Sequence, residues 1–176
     1  MAEQLGVLSE CVLHAAKCRG GFSEVCMECR FTDGSNRDFV LLCRELDEYL
    51  DELAGNQFDR SQYVPYNQLD NIHDVIVVYV QDEPVGCASY KKYDLRTAEI
   101  KRVFIRSGYR GRGISKTMLG KLEQRAKEQG YTALILETGA LLEVAMRLYR
   151  SLGYEITPNY EPYVDMPDSI CMRKYL

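Results

Sequence analysis

The sequence predicts a mixed α/β domain in which strands and helices alternate along 176 residues. Three observations carry that expectation. Apolar residues recur at helical spacing over 39–53, and two β-rich runs at 75–80 and 85–90 are split by a short turn. A strand at 98–106 then enters a glycine-rich, basic turn that opens a second helix at 114.

Taken in order, residues 28–32 make a short strand. Ser35 or Asn36 can cap a helix whose positions Phe39, Leu42, Cys43, Leu46, Leu50 and Leu53 share one face, and Gly55 ends it. The polar, tyrosine-bearing stretch 56–74 reads as loop with a short helix. Gln81-Asp82-Glu83-Pro84 makes a hairpin of the two β-rich runs. The strand 98–106, a helix over 114–129 closed by Gly130, a strand at 133–137, a helix over 140–152 and two strands in the tail complete the pattern. The chain holds no internal repeat and no low-complexity linker.

Composition bounds the function. With 46% hydrophobic and 27% charged residues the chain has the makings of one globular core. A net charge of −4 and a pI near 5.3 argue against a nucleic-acid surface, which needs an excess of Lys and Arg. No apolar run approaches the roughly 20 residues that span a bilayer, and Glu3, Glu10, Lys17 and Arg19 interrupt any signal-peptide core. A cytoplasmic location is expected. The seven cysteines are then reduced thiols, and an odd number cannot pair completely within one chain. Cys11, Cys18, Cys26, Cys29 and His14 crowd the N-terminal region, and Cys26-Met27-Glu28-Cys29 has zinc-ligand spacing that Cys11 or His14 could complete. Against that, Cys29 begins a strand and a single Cys-x-x-Cys is a common accident, so no metal is expected.

The richest stretch runs from Glu99 through Val103-Phe104-Ile105 to Arg110-Gly111-Arg112-Gly113-Ile114-Ser115-Lys116. Glycine at 111 and 113 lets several backbone N–H groups converge where the next helix presents its positive dipole end, with Arg110, Arg112 and Lys116 adding charge. That arrangement suits an anion; the plainer alternative is a strand-to-helix loop with solvated arginines. A P-loop is excluded because Arg110 and Ser115 stand where its glycines belong, and the dinucleotide fingerprint fails at Lys116. The pattern [Gln/Arg]-x-x-Gly-x-[Gly/Ala] is met by Arg110 and Gly113, with Ser115 a mild departure at its last site. This resembles the pyrophosphate-binding turn of the GNAT superfamily, the acyl-CoA-dependent N-acetyltransferases. The likeness continues through Leu136-Glu137-Thr138-Gly139, Ala145-Met146-Arg147-Leu148-Tyr149-Arg150-Ser151-Leu152-Gly153-Tyr154 and Ser169-Ile170-Cys171-Met172, in order and at suitable spacing. It covers about Glu28 to Leu176, so 27–176 reads as the acetyltransferase domain and 1–26 as an accessory extension.

The resemblance implies a mostly antiparallel central sheet flanked by helices, with a splayed pair of central strands and acetyl-CoA as co-substrate. In that family, backbone N–H groups of the strand ahead of the turn bind the pantetheine arm and the thioester oxygen; the matching residues are Val103, Phe104 and Ile105. The family's leaving-group acid matches Tyr149, beside the apolar stripe Leu141, Val144, Ala145, Leu148 and Leu152. Its phenol is protonated at neutral pH and can donate to a thiolate. Leu142 stands where many members have an asparagine, which removes one contact to the cofactor arm. Glu99 matches a glutamate that receives the amine proton in several members. By alternation Glu99, Lys101 and Val103 share a face, so an ion pair is the equal alternative. Glu137 has a comparable position on the next strand, with no assured role. His14 and His73 lie outside the matched elements. Tyr63, Tyr66, Asn67, Tyr160, Tyr163 and Asp165 could line an acceptor cleft.

The expected activity is acetyl transfer to a primary amine of a small or amino-acid-like molecule by direct attack in a ternary complex, by a monomer or homodimer. A protein N-terminus or lysine as acceptor, or a non-catalytic acyl-CoA-binding module, are the alternatives.

Overall fold

The structure is a computed structural model that describes residues 27–55 and 60–176. The 1–26 extension, with its Cys11, His14, Cys18 and Cys26, lies outside the described residues. So do positions 56–59. Among the described residues, no helix is long and apolar enough to cross a membrane, and no three His, Cys, Asp or Glu side chains form a metal-binding group.

Seven strands form one sheet. They are β1 (Met27–Thr32), β2 (Asp74–Val80), β3 (Glu83–Lys92), β4 (Thr97–Ile105), β5 (Ala133–Gly139), β6 (Glu155–Ile156) and β7 (Ser169–Tyr175), in the spatial order β1-β2-β3-β4-β5-β7-β6. All pairings are antiparallel except β4 with β5. Helix α1 (Arg37–Ala54) packs on one face, while α2 (Ile114–Glu128) and α3 (Glu143–Ser151) pack on the other. A short 3₁₀ helix at Ser61–Tyr66 supplies the helix expected within 56–74.

Local chemistry explains these boundaries. The Asn36 side chain, rather than Ser35, caps α1 by accepting from the N–H groups of Asp38 and Phe39 at 3.0 Å each. The hairpin turn is only Gln81-Asp82, both at positive φ, and Val80 pairs directly with Glu83. That is the two-residue turn whose twist suits paired strands, so Glu83 and Pro84 belong to β3. Helix α3 begins three residues later than the expected 140, because the Leu142 N–H donates to the Gly139 carbonyl and closes a turn first.

Strand β4 departs from simple alternation. Cys87 pairs with Phe104 and Ser89 with Lys101, so two residues on β4, Arg102 and Val103, oppose Ala88 alone. This is a β-bulge, and Arg102 takes φ +56 within it. Its guanidinium is held toward α1 by Asp47 at 2.7 Å and by the Asn67 carbonyl. The bulge therefore corrects the shared face expected for Glu99, Lys101 and Val103. Glu99, Lys101 and Phe104 look toward the α1 side, whereas Val103 packs against the core under α2 and α3. Two buried side chains satisfy carbonyls in and beside the irregular segment: Ser89 Oγ donates to Lys101 O at 2.9 Å and Cys87 Sγ to Arg102 O at 3.3 Å. Ser89→Ala leaves the Lys101 carbonyl buried without that donor, and is expected to destabilise the fold by about 1–3 kcal/mol. Urea unfolding should register it as a lower midpoint at unchanged slope.

Candidate functional site

β4 and β5 pair only from Thr97↔Ala133 to Ile100↔Leu136. Beyond that rung, among the described residues, the facing backbones of Lys101–Ile105 and Glu137–Gly139 have no strand between them, and the sheet opens into a gap. Because the two strands are parallel, the gap lies at their C-terminal ends, where open α/β sheets bind ligands.

The glycine-rich turn follows from the end of β4. Gly111 and Gly113 have φ of +74 and +76, conformations that an L side chain disfavours. Gly113 caps α2 with no side-chain acceptor, and its carbonyl receives the N–H groups of Lys116 and Thr117 at 3.1 and 3.2 Å. The N–H groups of Gly111, Arg112, Gly113, Ile114 and Ser115 precede those bonds, and among the described residues none of the five has a backbone acceptor. Five consecutive open donors at a helix N-terminus are the arrangement that suits an anion in such a concavity. Ile114 contributes only its N–H, since its side chain is buried in the core.

The cations around this concavity divide in their roles. Arg110 Nε donates to Ile105 O at 2.8 Å and the guanidinium sits 4.5 Å over the Tyr49 ring, so it braces the turn against α1. Arg112 donates to Gly108 O at 3.0 Å and stacks on Tyr109. Lys116 is exposed on the first turn of α2. Arg112→Ala is expected to weaken binding of a phosphorylated ligand by less than about fivefold, as for other exposed charges. Titration calorimetry at two salt concentrations checks it.

Tyr149 projects from α3 with 6% of its surface exposed and its ring 5.9 Å edge-on to Tyr154. The expected stripe shifts accordingly. Leu141 and Val144 are exposed, and Ala145, Leu148, Tyr149 and Leu152 face the core, because the helix starts at Glu143. Among the described residues the Tyr149 hydroxyl has no hydrogen-bond partner. Burial, and then the Glu137 charge across the gap, push its pKa above that of an ordinary phenol.

The opposite, α1-side face carries the ionisable cluster. Glu99 is 1% exposed and is met by Tyr163 Oη at 3.0 Å, Tyr160 Oη at 3.3 Å, Lys91 Nζ at 3.3 Å and Lys101 Nζ at 3.4 Å. Lys101 also donates to Tyr163 Oη at 2.6 Å. Burial lowers the Lys101 pKa, opposed by the Glu99 charge. Glu137 is half-buried one step beyond the last β4–β5 rung, and Ser169 Oγ donates to its Oε1 at 2.8 Å. Burial raises its pKa, with the Ser169 hydrogen bond and then the Lys101 charge acting the other way. Tyr63 Oη is 2.9 Å from the same Ser169 hydroxyl.

Of the residues expected to line a cleft, Tyr63, Tyr66, Tyr160 and Tyr163 do come together on this face. Asn67 serves instead through its carbonyl to Arg102, and Asp165 is exposed outside the cluster. Sequence reasoning missed Lys91, Ser169 and Asn159. The Asn159 side chain donates to three carbonyls, those of Tyr163, Met166 and Ser169, at 3.1–3.2 Å, and so shapes the loop between β6 and β7. An asparagine in a tyrosine-rich loop was the only available signal.

The profile of the Acetyltransferase (GNAT) family matches residues 41–154. The chain is similar to the uncharacterised N-acetyltransferase YsnE of Bacillus subtilis, 34% identical over 97 residues, 54% of this chain and 64% of YsnE. It thus spans under two thirds of that relative's length. An IAA acetyltransferase of Azospirillum brasilense is 30% identical over 138 residues, 78% of this chain and 90% of the relative. Among solved structures, a Klebsiella pneumoniae protein described as an acyl-CoA N-acyltransferase superposes with a TM-score of 0.68 at 28% identity, covering 85% of this chain and 97% of that one. The PaiA N-acetyltransferase of Thermoplasma acidophilum, solved in complex with coenzyme A, shares the fold with a TM-score of 0.67 at 17% identity, covering 86% and 99%.

Proposed function

Because the chain belongs to the GNAT acetyltransferase family, we propose that it transfers the acetyl group of acetyl-CoA to a primary amine of a small or amino-acid-like acceptor, by direct attack in a ternary complex. The observation that carries this reading is the row of five N–H groups at 111–115 without a backbone acceptor among the described residues, beside a gap in the sheet with Tyr149 on one side and carboxylates on the other. The concavity holds the pyrophosphate, and the β5-facing backbone of Val103–Ile105 borders the thioester arm. Arg110 braces that turn, while Arg112 and Lys116 add positive potential around it.

The amine arrives from the α1-side face. As the nitrogen–carbon bond forms, the nitrogen becomes acidic and a carboxylate on that face, Glu99 or Glu137, accepts its proton. Tyr149 donates its proton to the departing thiolate as the carbon–sulfur bond breaks. The products are an N-acetyl amine and the free thiol, with both side chains restored by exchange with solvent. The aromatic walls formed by Tyr66, Tyr160 and Tyr163 suit a cationic amine with an apolar body.

The test is thiol release from acetyl-CoA with the purified protein and pooled amines: amino acids, polyamines, aminoglycosides and peptides. Release dependent on one pool supports the reading and names the acceptor class. Tight acetyl-CoA binding without release from any pool makes the chain a binding module.

A further inference from the structure

Two carboxylates face the same side of the sheet near the gap, and their surroundings differ. Glu99 already accepts three hydrogen bonds on Oε1, from Lys101, Tyr160 and Tyr163, and its Oε2 is ion-paired with Lys91 at 3.3 Å. Both of its oxygens are thus engaged by groups of the chain, and at 1% exposure the carboxylate is closed off from solvent. Glu137 has one oxygen on Ser169, and among the described residues Oε2 has no partner. It stands one residue past the final rung between β4 and β5, at the edge of the gap.

The partners of Glu99 come from two places. Lys91 and Lys101 belong to the sheet, whereas Tyr160 and Tyr163 belong to the 157–168 loop between β6 and β7. Tyr160 packs edge-on to Tyr93 at 5.2 Å and Tyr163 edge-on to Tyr66 at 6.1 Å, which ties the same loop to the β3–β4 turn and to the 3₁₀ helix. Asn159 holds the loop's own carbonyls together. Glu99 is therefore the ionic point at which a pre-shaped loop is fastened to the central strand.

We propose a division of labour that rests on the acetyltransferase reading: Glu137 is the catalytic carboxylate that takes the acceptor's proton, and Glu99 is a positioning residue that pins the 157–168 loop over the acceptor side. The proton leaves nitrogen as the nitrogen–carbon bond forms, protonates the Glu137 carboxylate and passes from there to solvent. The Ser169 and Tyr63 hydroxyls, at 2.8 and 2.9 Å, are hydrogen-bonded in line from its other oxygen.

Glu137 is faced by Lys101 and Glu99 from β4, Ser169 and Cys171 from β7 and Tyr149 from α3. Arg60 and Tyr63 face it from the segment at the 3₁₀ helix, and Tyr160 and Tyr163 from the loop. Burial is the largest influence on it and favours the neutral acid. The working carboxylate is therefore lost as pH falls, and at a higher pH than for a solvated glutamate.

The experiment compares Glu137→Gln, Glu99→Gln and Tyr160→Phe/Tyr163→Phe in the full chain. Hydrogen exchange followed by mass spectrometry needs no acceptor. It should show protection in 157–168 falling roughly tenfold in Glu99→Gln and in the double tyrosine variant, and unchanged in Glu137→Gln. With the amine found by thiol release, Glu137→Gln should lower kcat by about 10²–10⁴-fold at nearly constant acceptor KM and remove the acidic limb of the rate profile. Glu99→Gln should raise acceptor KM and keep that limb. Should Glu99→Gln fail to fold, the tyrosine variant reports the same fastening. Unchanged exchange in 157–168 in a folded Glu99→Gln, or in the tyrosine variant, overturns the pin. Near-wild-type kcat in Glu137→Gln, or loss of the acidic limb in Glu99→Gln, overturns the assignment of the base. A wild-type chain that binds acetyl-CoA and acetylates no amine defeats the acetyltransferase reading, while the exchange result still decides the role of Glu99.

Discussion

Gly113→Asp is expected to abolish acetyl-CoA binding while leaving the fold intact. A Cβ at Gly113 would meet no atom within 4 Å, so the new side chain has open space in front of the concavity. Aspartate is also a favourable helix cap and tolerates positive φ better than most residues. Its carboxylate can accept the N–H groups of the first turn of α2, filling the anion site from within the chain and repelling a pyrophosphate that approaches. Losing two charge-assisted hydrogen bonds at about 1.5 kcal/mol each weakens binding by roughly 100-fold or more. Gly113→Ala separates charge from strain: it carries the cost of φ +76, about 1–2 kcal/mol, without a competing anion. It should lower stability more than it lowers affinity. Calorimetry that finds unchanged acetyl-CoA affinity in Gly113→Asp removes the turn from the cofactor site.

The turn and the order of elements were legible in the sequence because their causes are local. Glycine at 111 and 113, asparagine ahead of α1 and the Gln81-Asp82 turn act on their own backbone or within a few residues. The bulge in β4 was not legible, because arginine carries no mark of positive φ. Arg102 adopts it where Asp47, the Asn67 carbonyl, Ser89 and Cys87 satisfy the irregular segment from 12 to 55 residues away. The face of Val103 was misplaced for that reason. The same holds for Glu99, whose tyrosine partners are 61 and 64 residues distant. Its residue type and strand position suit a base as well as an anchor; the anchor reading rests on the loop tyrosines that the sequence does not place beside it. The α3 stripe was misjudged by a boundary: starting the helix at 143 turns Leu141 and Val144 outward and Tyr149 inward.

Tyr149→Phe should preserve the fold and the acetyl-CoA affinity and lower kcat by about 10–10³-fold. The ring's packing against Tyr154 survives the change, and the hydroxyl has no hydrogen bond among the described residues to lose, so stability should move by less than about 1 kcal/mol. Activity is another matter. Thiolate expulsion requires a proton only as the carbon–sulfur bond breaks, so the loss should fall on kcat and kcat/KM alike and leave cofactor binding untouched. The pH dependence carries a sign. Burial and the nearby Glu137 charge raise the Tyr149 pKa, so the donor form persists well above neutral pH and Tyr149 contributes no alkaline fall in rate near neutrality. Glu137→Gln removes one of those two influences and should lower the Tyr149 pKa toward that of an ordinary phenol, a coupling that ultraviolet titration of the tyrosinate can follow against Tyr149→Phe as the blank. Near-wild-type kcat in Tyr149→Phe assigns thiolate protonation to water. A tenfold or larger loss at constant acetyl-CoA affinity assigns it to this phenol, which feels the Glu137 charge across the gap.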